Sequence, residues 1–277
     1  MNARNRSIDA QIPVFWRDPA LGFIEARSIA DGRKVCYSRH SHDVFSIGAI
    51  TAGRSTYLHE KTSQTISAGT VVLMNPGEVH ACNPIDDQPW SYIMLYVDAR
   101  WLGRIQQVCG ASDDACFQPL AAIQSTDTQV FEGLLELHRV LVDPGLESME
   151  KHEAAVGFFM ETQQRLGGRR LALKKPNVRV ERAAQYINRH YLRAIRLEEI
   201  CEAANLSEAY LIRAFEQHYH MTPHAWLVNR RIQHAQAQLR DGEAIADIAR
   251  QSGFADQAHL QRAFKKHLAA TPGQYRQ

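Results

Sequence analysis

The sequence predicts a multidomain α+β protein, with a small β-barrel at the N-terminus and an all-α domain at the C-terminus. Three observations predict this fold class. Short apolar segments separated by turns fill residues 20–97, helical spacing begins at Ala99, and a helix-turn-helix pattern occurs twice near the C-terminus. A length of 277 residues suits two domains that each bury a core.

The N-terminal segments have the regular spacing of a small barrel or jelly roll. Gly53, Gly69 and Pro76 lie at turns between them. The predicted strands are residues 23–29, 34–39, 44–51, 55–59, 70–74 and 91–97. The last one is apolar on both faces, which predicts one face toward the barrel interior and one covered by helices.

Two helices are predicted after the strands. The first carries an apolar stripe at spacings of 4, 3 and 4, formed by Val130, Leu134, Leu137 and Leu141. This stripe either packs on the barrel or forms a helix-helix contact between two subunits, and the sequence leaves both open. The second helix, about residues 148–166, has Ala155, Phe158, Phe159 and Thr162 on one side.

These patterns divide the chain into four expected segments. We expect a barrel at 1–98, a helical dimerisation or packing segment at 99–166, a linker at 167–176 and a C-terminal domain at 177–277. The linker has two glycines, four cations and a proline with no apolar period. Residues 1–173 carry a net charge of −4 and residues 174–277 one of +6, which indicates a polyanionic partner for the C-terminal domain alone.

The repeat predicts two helix-turn-helix units, at about 197–218 and 245–267. Ile200 and Leu206 recur as Ile248 and Phe254 at a spacing of 48. After the turn, the Arg-Ala-Phe triplet that ends at Phe215 recurs at a spacing of 49, so the second turn has one extra residue. Two such units joined by a long helix suit two successive segments of a major groove.

The side chains that face away from each core in the second helix of each unit are suited to DNA. Arginine can bind guanine, glutamine can pair with adenine, and apolar side chains can meet a thymine methyl. Ser207 is expected as a helix N-cap, and Lys265 and Lys266 as phosphate contacts. The full predicted DNA-binding set is Ser207, Ala209, Ile212, Arg213, Gln257, Ala258, Gln261, Arg262, Lys265 and Lys266.

These motifs resemble the AraC/XylS family of transcriptional regulators. The resemblance rests on Ile200, on the Tyr-Leu-x-Arg-x-Phe run that ends at Phe215, on Thr222-Pro223, and on the matching second copy that ends near Arg276. It covers about residues 179–277. It implies binding to double-stranded DNA, contact with RNA polymerase, a role as an activator, and a homodimer. Glu208 and Glu216 depart from the usual pattern near the predicted DNA face.

The N-terminal region resembles the cupin-type effector domain found in that family, through His40-Ser-His42 and the later run from Gly69 to His80. The resemblance implies a small-molecule effector in a cupin-like barrel, with no cofactor and no catalytic residues. The expected effector-binding residues are Tyr37, His42, Phe45, His80, Tyr92, Met94 and Tyr96.

A metal-dependent cupin enzyme fused to a DNA-binding domain is the alternative. Enzymatic cupins hold a metal with three histidines and a carboxylate, and His40, His42 and His80 supply the three imidazoles. The carboxylate is missing, since Asp43 adjoins His42 and so points to the opposite strand face. We therefore expect a regulator and not an enzyme, with an architectural DNA binder that lacks an effector as a third possibility.

Composition sets the expected location. The five cysteines include no Cys-x-x-Cys pair, and their odd number favours reduced thiols in the cytoplasm over a disulfide framework. The first thirteen residues lack an apolar run of signal-peptide length, and no run reaches the length of a membrane span. The sequence therefore predicts a cytoplasmic protein without a membrane partner.

Overall fold

The computed structural model describes residues 11–168 and 177–276, and these contain nine strands and ten α-helices. The chain divides into two units. The first, here the β-rich unit, contains described residues 11–35, 42–78 and 82–168. The second, here the helical unit, contains 36–41, 79–81 and 177–276. The predicted combination of an N-terminal β-rich domain with a C-terminal helical domain is confirmed.

The strands form two separate sheets and not one closed barrel, in the manner of a jelly roll. One sheet has six strands in the order β1-β2-β8-β3-β6-β9, and the other has three in the order β5-β4-β7. Their bounds are β1 Val14–Arg17, β2 Ile24–Ile29, β3 Phe45–Ala52, β4 Arg54–His59, β5 Thr62–Ser67, β6 Val71–Met74, β7 His80–Pro84, β8 Ser91–Val97 and β9 Gln124–Ser125.

Five of the six predicted strands form within one or two residues of their expected ends. The expected strand at 34–39 was wrong: this segment has no regular strand structure, and only His40 makes an isolated bridge, to His80. Four strands were not predicted. They are β1, β5, β7 and β9, which are short or mostly polar.

Strand β8 lies between β2 and β3, antiparallel to both, in the middle of the larger sheet. This position explains its two apolar faces. Ile93, Leu95 and Val97 belong to the core shared with the helices, while Tyr92 and Met94 are buried on the opposite face. The two-faced burial predicted from the sequence is confirmed.

Three α-helices complete the β-rich unit: α1 Ala99–Val108, α2 Thr128–Val142 and α3 Ser148–Leu166. The stripe on α2 is fully buried in the unit's own core, as are Ala155, Phe158 and Phe159 of α3. The stripe therefore packs inside its own subunit. It is not available as a seam between subunits.

The helical unit contains seven helices among its described residues: α4 Val178–His190, α5 Leu197–Ala204, α6 Glu208–Tyr219, α7 Pro223–Arg240, α8 Ile245–Gln251, α9 Gln257–Leu268 and α10 Pro272–Arg276. Both predicted helix-turn-helix pairs are present, as α5–α6 and α8–α9. The long helix α7 connects them. The equivalent phenylalanines of the two copies, Phe215 and Phe264, are both fully buried.

The predicted linker falls mostly on residues outside the described part of the chain, with only Gly167 and Gly168 within it. The domain boundaries at 98 and 166–177 therefore stay predictions. Across the described residues, no helix is long and apolar enough to cross a membrane.

Candidate functional sites

The helices α6 and α9 each bury one face and leave the other in solvent. Leu211, Ala214 and Phe215 of α6 are buried, and Leu260 and Ala263 take the equivalent places in α9. All ten residues of the predicted DNA-binding set are exposed. We call this set the outward surface.

Local backbone geometry fixes how α6 leaves the first turn. Asn205 ends α5 in the left-handed region, at φ 51°, a conformation that asparagine tolerates better than most residues. Ser207 has the extended backbone of an N-cap, as predicted, although its hydroxyl makes no capping hydrogen bond. Glu199 in the first turn of α5 accepts a hydrogen bond from the backbone N–H of Arg196 at 2.8 Å.

The second turn depends on a glycine. Gly253 has φ +76°, and a Cβ added there would meet Tyr191 O and Arg231 Nε at 2.9 Å. Glycine is therefore required both for its conformation and for the close approach. Asp256 then caps α9 as predicted, accepting a hydrogen bond from the backbone N–H of His259 at 2.6 Å.

A buried arginine on α7, which the sequence pattern did not reveal, binds the chain segment that connects α4 to α5. Arg231 donates to the carbonyl oxygens of Tyr191 and Arg193, each at 2.7 Å. Burial lowers the pKa of the Arg231 guanidinium. The signal that could have revealed it is an arginine at a core position of α7, beside Ile232.

The first copy has a mixed outward surface. Ile212 is 39% exposed and Tyr210 is 42% exposed, and the Arg213 guanidinium lies 5.9 Å from the centre of the Tyr210 ring. Tyr210 was not in the predicted set. Glu208 and Glu216 are exposed on the same helix, so this copy is less basic than the second.

The outward surface of the second copy is formed mainly by polar and basic side chains, without the acidic residues of the first copy. Gln257, Gln261 and Arg262 are exposed, and they carry the amide and guanidinium groups that can bind base edges in a major groove. Lys265 and Lys266 are exposed one turn later, where cations can contact phosphate. The chemistry of this face matches a nucleic-acid ligand.

A second candidate site, of a different kind, is the face of the larger sheet in the β-rich unit that carries the predicted effector-binding residues. Tyr92, Met94 and Tyr96 share the face of β8 that points away from the helical core. His42 packs edge-on against Tyr96, with ring centres 5.0 Å apart. These four of the seven predicted effector-binding residues lie in the β-rich unit on or beside this face, here called the inner face.

Phe45 lies elsewhere. It pairs with Val97 in the sheet and belongs to the core shared with the helices, where it packs against Phe117. Residues one apart in a strand point to opposite faces, and Phe45 precedes a residue of the inner face, Ser46. The register therefore does not support Phe45 as a pocket residue.

Tyr37 and His80 are buried within segments assigned to the helical unit. His40 lies beside both, with ring centres 5.8 Å from Tyr37 and 4.5 Å from His80. The Nδ1 atom of His40 hydrogen bonds to the Ser38 carbonyl at 2.8 Å. Because a carbonyl oxygen can only accept, Nδ1 is the donor in this contact, which fixes the orientation of the imidazole ring.

Ligand atoms of His40 and His80, which both belong to the helical unit, lie within 4.8 Å of each other, whereas His42 belongs to the β-rich unit. A metal site made of all three imidazoles therefore stays a prediction. The carboxylate Glu78, which precedes β7, has a structural use instead: it accepts hydrogen bonds from His59 Nε2 at 3.0 Å and from the amide of Asn75 at 2.9 Å. Burial tends to raise the Glu78 pKa, but these hydrogen bonds hold it below its usual value.

Sequence reasoning missed two polar residues of the inner face. Arg27 pairs with Met94, and Ser46 pairs with Tyr96, so both share the face of the tyrosines. Arg27 is only 4% exposed and Ser46 is fully buried. An arginine in a strand is usually a surface residue, so nothing in the sequence alone distinguished Arg27.

Comparison with known proteins covers both units. Residues 24–166 match the model of the AraC-like ligand binding domain, and residues 200–277 match a helix-turn-helix domain. The raffinose operon regulatory protein RafR of Pediococcus pentosaceus is 23% identical over 91% of this chain and 94% of its own. The activator RhaS of an Enterobacter species is also 23% identical, over 88% of this chain and 89% of its own.

Similarity extends to solved structures. ToxT from Vibrio cholerae O395 aligns over 96% of this chain and 97% of its own, with a TM-score of 0.53 and 13% identity. An apo form of a ToxT point variant, from Vibrio cholerae strain SCE256, gives a TM-score of 0.56 at 15% identity, over 91% of this chain and 96% of its own. These TM-scores, at such low identity, show that the fold is shared and no more.

Proposed function

Because the chain belongs to the AraC/XylS family of transcriptional regulators, which join a helix-turn-helix DNA-binding domain to a ligand-binding domain, we propose that the outward surface of α6 and α9 contacts DNA bases and phosphates. The observation that carries this proposal is the burial pattern. Both copies hide the same apolar positions and leave all ten predicted contact residues in solvent.

The two copies would divide the work. Arg213 and Ile212 of the first copy would meet one major-groove segment, and Gln261 and Arg262 of the second would meet the next. Lys265 and Lys266 would fix the register by contacting phosphate. The acidic Glu208 and Glu216 would weaken attraction to phosphate in the first copy, so we propose that the second copy supplies more of the binding free energy.

The ligand of the N-terminal domain would bind at the inner face of the larger sheet, with Tyr92, Met94 and Tyr96 among its contacts. This proposal is supported by the shared face of these side chains in the register. Two relatives are named as regulators of lactose and raffinose operons, and the lactose relative, from Staphylococcus xylosus, is named an activator. By analogy we propose that this chain activates transcription when its ligand binds.

Further roles follow from the family alone. We propose that the protein acts in the cytoplasm as a homodimer, contacts RNA polymerase and has no enzymatic activity. Since the α2 stripe is buried within its own unit, a dimer would have to use another surface. The five free cysteines agree with a reducing compartment.

Footprinting of the full-length protein on the DNA upstream of its own gene tests the DNA-binding proposal. We expect two protected segments in successive major grooves, with protection at the second lost in a Gln261→Ala/Arg262→Ala variant. The matched control is Arg139→Ala, which removes an exposed cation from the β-rich unit. Equal loss of protection in both variants, or none in either, would contradict the assignment of α9 as a base-contacting helix.

A further inference from the structure

Residues 36–41, here called the strap, belong to the helical unit although they lie between β2 and β3 in the chain. Tyr37, His40 and Ser41 of the strap are buried. The backbone of His40 pairs with that of His80, which also belongs to this unit, through hydrogen bonds of 3.1 and 2.9 Å. The strap has no regular secondary structure, so its other buried backbone groups need partners elsewhere in the unit.

The middle of the connecting helix α7 supplies such partners. Asn229, which is only 2% exposed, accepts a hydrogen bond from the Ser41 N–H at 3.3 Å. Its amide donates to the Ser41 carbonyl at 3.3 Å and to the Ser41 hydroxyl at 3.2 Å. Gln233, four residues later and so on the same face of α7, donates a 2.9 Å hydrogen bond to the same carbonyl. The Ser41 end of the strap is therefore fixed to the helix that connects the two copies.

The strap also binds the C-terminal end of α9. The last four carbonyl groups of an α-helix have no partner inside the helix. One of them in α9, the Lys266 carbonyl, accepts hydrogen bonds from the Ser38 N–H at 2.9 Å and from the Ser38 hydroxyl at 3.1 Å. Ser38 therefore stabilises the helical turn that carries Lys265 and Lys266, the two proposed phosphate contacts.

The next residue of the strap, Arg39, contacts the equivalent end of α6. His220 ends α6 and Ala269 ends α9, both in the left-handed region, at φ 56° and 55°. Arg39 donates a hydrogen bond from Nη1 to the His220 carbonyl at 3.4 Å. A cation at the C-terminus of a helix also interacts favourably with the helix dipole. Two adjacent residues of the strap thus contact the same end of both proposed DNA-contacting helices.

These contacts leave the outward surface open. The strap binds the main-chain carbonyl of Lys266, and the Lys266 side chain stays in solvent. All ten residues of the outward surface are exposed while the strap is in place. The bound strap is therefore compatible with DNA binding and does not block it.

We propose that the strap fixes the position of α6 relative to α9, and that Asn229 is the positioning residue that holds the strap. This inference rests on the proposed DNA contacts of the two helices and adds what sets the spacing between those contacts. Two helix-turn-helix units bind successive major-groove segments only if their separation matches one turn of DNA, about 10 base pairs. A chain whose two helices are held by the strap should therefore reject DNA with the wrong spacing.

The test compares two DNA fragments that differ only in spacing. One is the upstream fragment protected in footprinting, and the other has one base pair inserted between the two protected segments. The insertion moves one segment by about 3.4 Å and turns it by roughly 35°. Fluorescence anisotropy with the full chain gives the affinity for the native fragment divided by that for the inserted one, here called the spacing ratio. We expect a spacing ratio of about ten or more for the wild type and of about three or less for Asn229→Ala.

The spacing ratio separates positioning from general damage. A variant that is partly unfolded, or that attracts phosphate less strongly, loses affinity for both fragments by the same factor and keeps the wild-type ratio. Arg39→Ala and Gln233→Ala keep the test valid if Asn229→Ala does not fold, because Arg39 is exposed and Gln233 is only partly buried. Each removes one contact of the strap, so each should lower the spacing ratio to a value between those of the wild type and Asn229→Ala.

The matched control is Gln236→Ala, which removes a partly buried amide from the same helix that makes no hydrogen bond with the strap. It should keep the wild-type spacing ratio. A wild-type ratio near one, or a wild-type ratio retained in Asn229→Ala, Arg39→Ala and Gln233→Ala, would overturn the positioning role of the strap and leave DNA binding by the two helices intact. A wild-type chain that binds neither fragment would instead refute the proposed DNA contacts, and this inference with them.

Discussion

The guanidinium of Arg231 donates a 2.7 Å hydrogen bond to the carbonyl of Tyr191, and so ties the long helix α7 to the chain that leaves α4. A second bond of equal length reaches Arg193 O. Since α7 also connects the two helix-turn-helix pairs, this one side chain ties the segment that leads into the first pair to the connecting helix.

Arg231→Met should therefore lower the stability of the helical unit. The change leaves two carbonyls without their donors, and each buried acceptor that loses its bond costs about 1–3 kcal/mol. Urea unfolding of the full chain, followed by far-ultraviolet circular dichroism, measures the loss. Arg250→Met is the control, because Arg250 is exposed and forms an ion pair, among the described residues, only with Asp247 on its own helix. It should change stability by about 0.5 kcal/mol or less; equal losses would contradict a structural role for Arg231.

Gly253→Ala should destabilise the second copy more than Gly242→Ala does. Both glycines have positive φ, +76° and +84°, and alanine in that region costs about 1–2 kcal/mol. At Gly253 the new Cβ would also meet backbone and side-chain atoms, while at Gly242 no atom of the described residues, apart from the chain neighbours, lies within 4 Å. Thermal unfolding compares the two variants. A Gly242→Ala effect as large as that of Gly253→Ala would mean that the close approach at Gly253 is not maintained in solution.

The stability contributed by Glu199 should vanish in acid. Hydrogen bonds from Arg193, from the backbone of Arg196 and from Tyr186 lower the pKa of Glu199 to about 2. A carboxyl with a lowered pKa in the folded state stabilises above its ordinary value of 4.5 and loses that effect as the pH falls toward 2. Glu199→Gln should thus be less stable than wild type at neutral pH, with the gap narrowing below about pH 4.5. A gap that widened in acid would contradict the ion-pair assignment.

Arg262 and Lys265 should differ in what they do on DNA. Arg262→Ala should relax base preference at one position of the binding site and cost about 1–3 kcal/mol on the preferred sequence. Lys265→Ala should weaken binding to all sequences about equally, because phosphate contact carries no sequence information. Binding to a randomised DNA pool, followed by sequencing of the bound fraction, compares them. Identical sequence profiles would refute the division into base and phosphate contacts.

Ligand response should not depend on a metal. If the inner face of the sheet binds the effector, a chelator should leave ligand-dependent transcription from the target promoter unchanged, and Tyr92→Ala should abolish it. If instead the response is lost with the chelator and returns with zinc, His40, His42 and His80 are metal ligands and the sensing assignment is wrong.

Periodic burial made most of the fold predictable from sequence. Phe215 and Phe264 recur at a fixed spacing because each completes the same small core, and β8 is apolar on both faces because it lies at the centre of a sheet under helices. The strand β5 was missed because Ile66 is its one fully buried residue, so no alternation marks it. Segment 34–39 has apolar residues but no regular strand partner, and sequence pattern alone does not show pairing.

The candidate sites were predictable to different degrees. Exposed positions on α6 and α9 follow from helical spacing once the buried positions are known, which is why all ten predicted residues face solvent. The inner face depends on strand register across β2, β3 and β8, which sequence does not fix. Register placed Phe45 on the opposite side of the sheet and brought Arg27 and Ser46 to the tyrosines.

The salt dependence of DNA binding tests the central claim, that exposed faces of two repeated helices bind DNA. The measurement is fluorescence anisotropy of labelled upstream DNA with the wild-type chain and with Arg213→Ala/Arg262→Ala, over a range of salt concentrations. We predict that wild-type affinity falls linearly in a plot of log affinity against log salt, and that the double variant loses at least tenfold in affinity on the preferred site. A wild-type complex insensitive to salt, or a double variant that binds as the wild type does, would contradict the account.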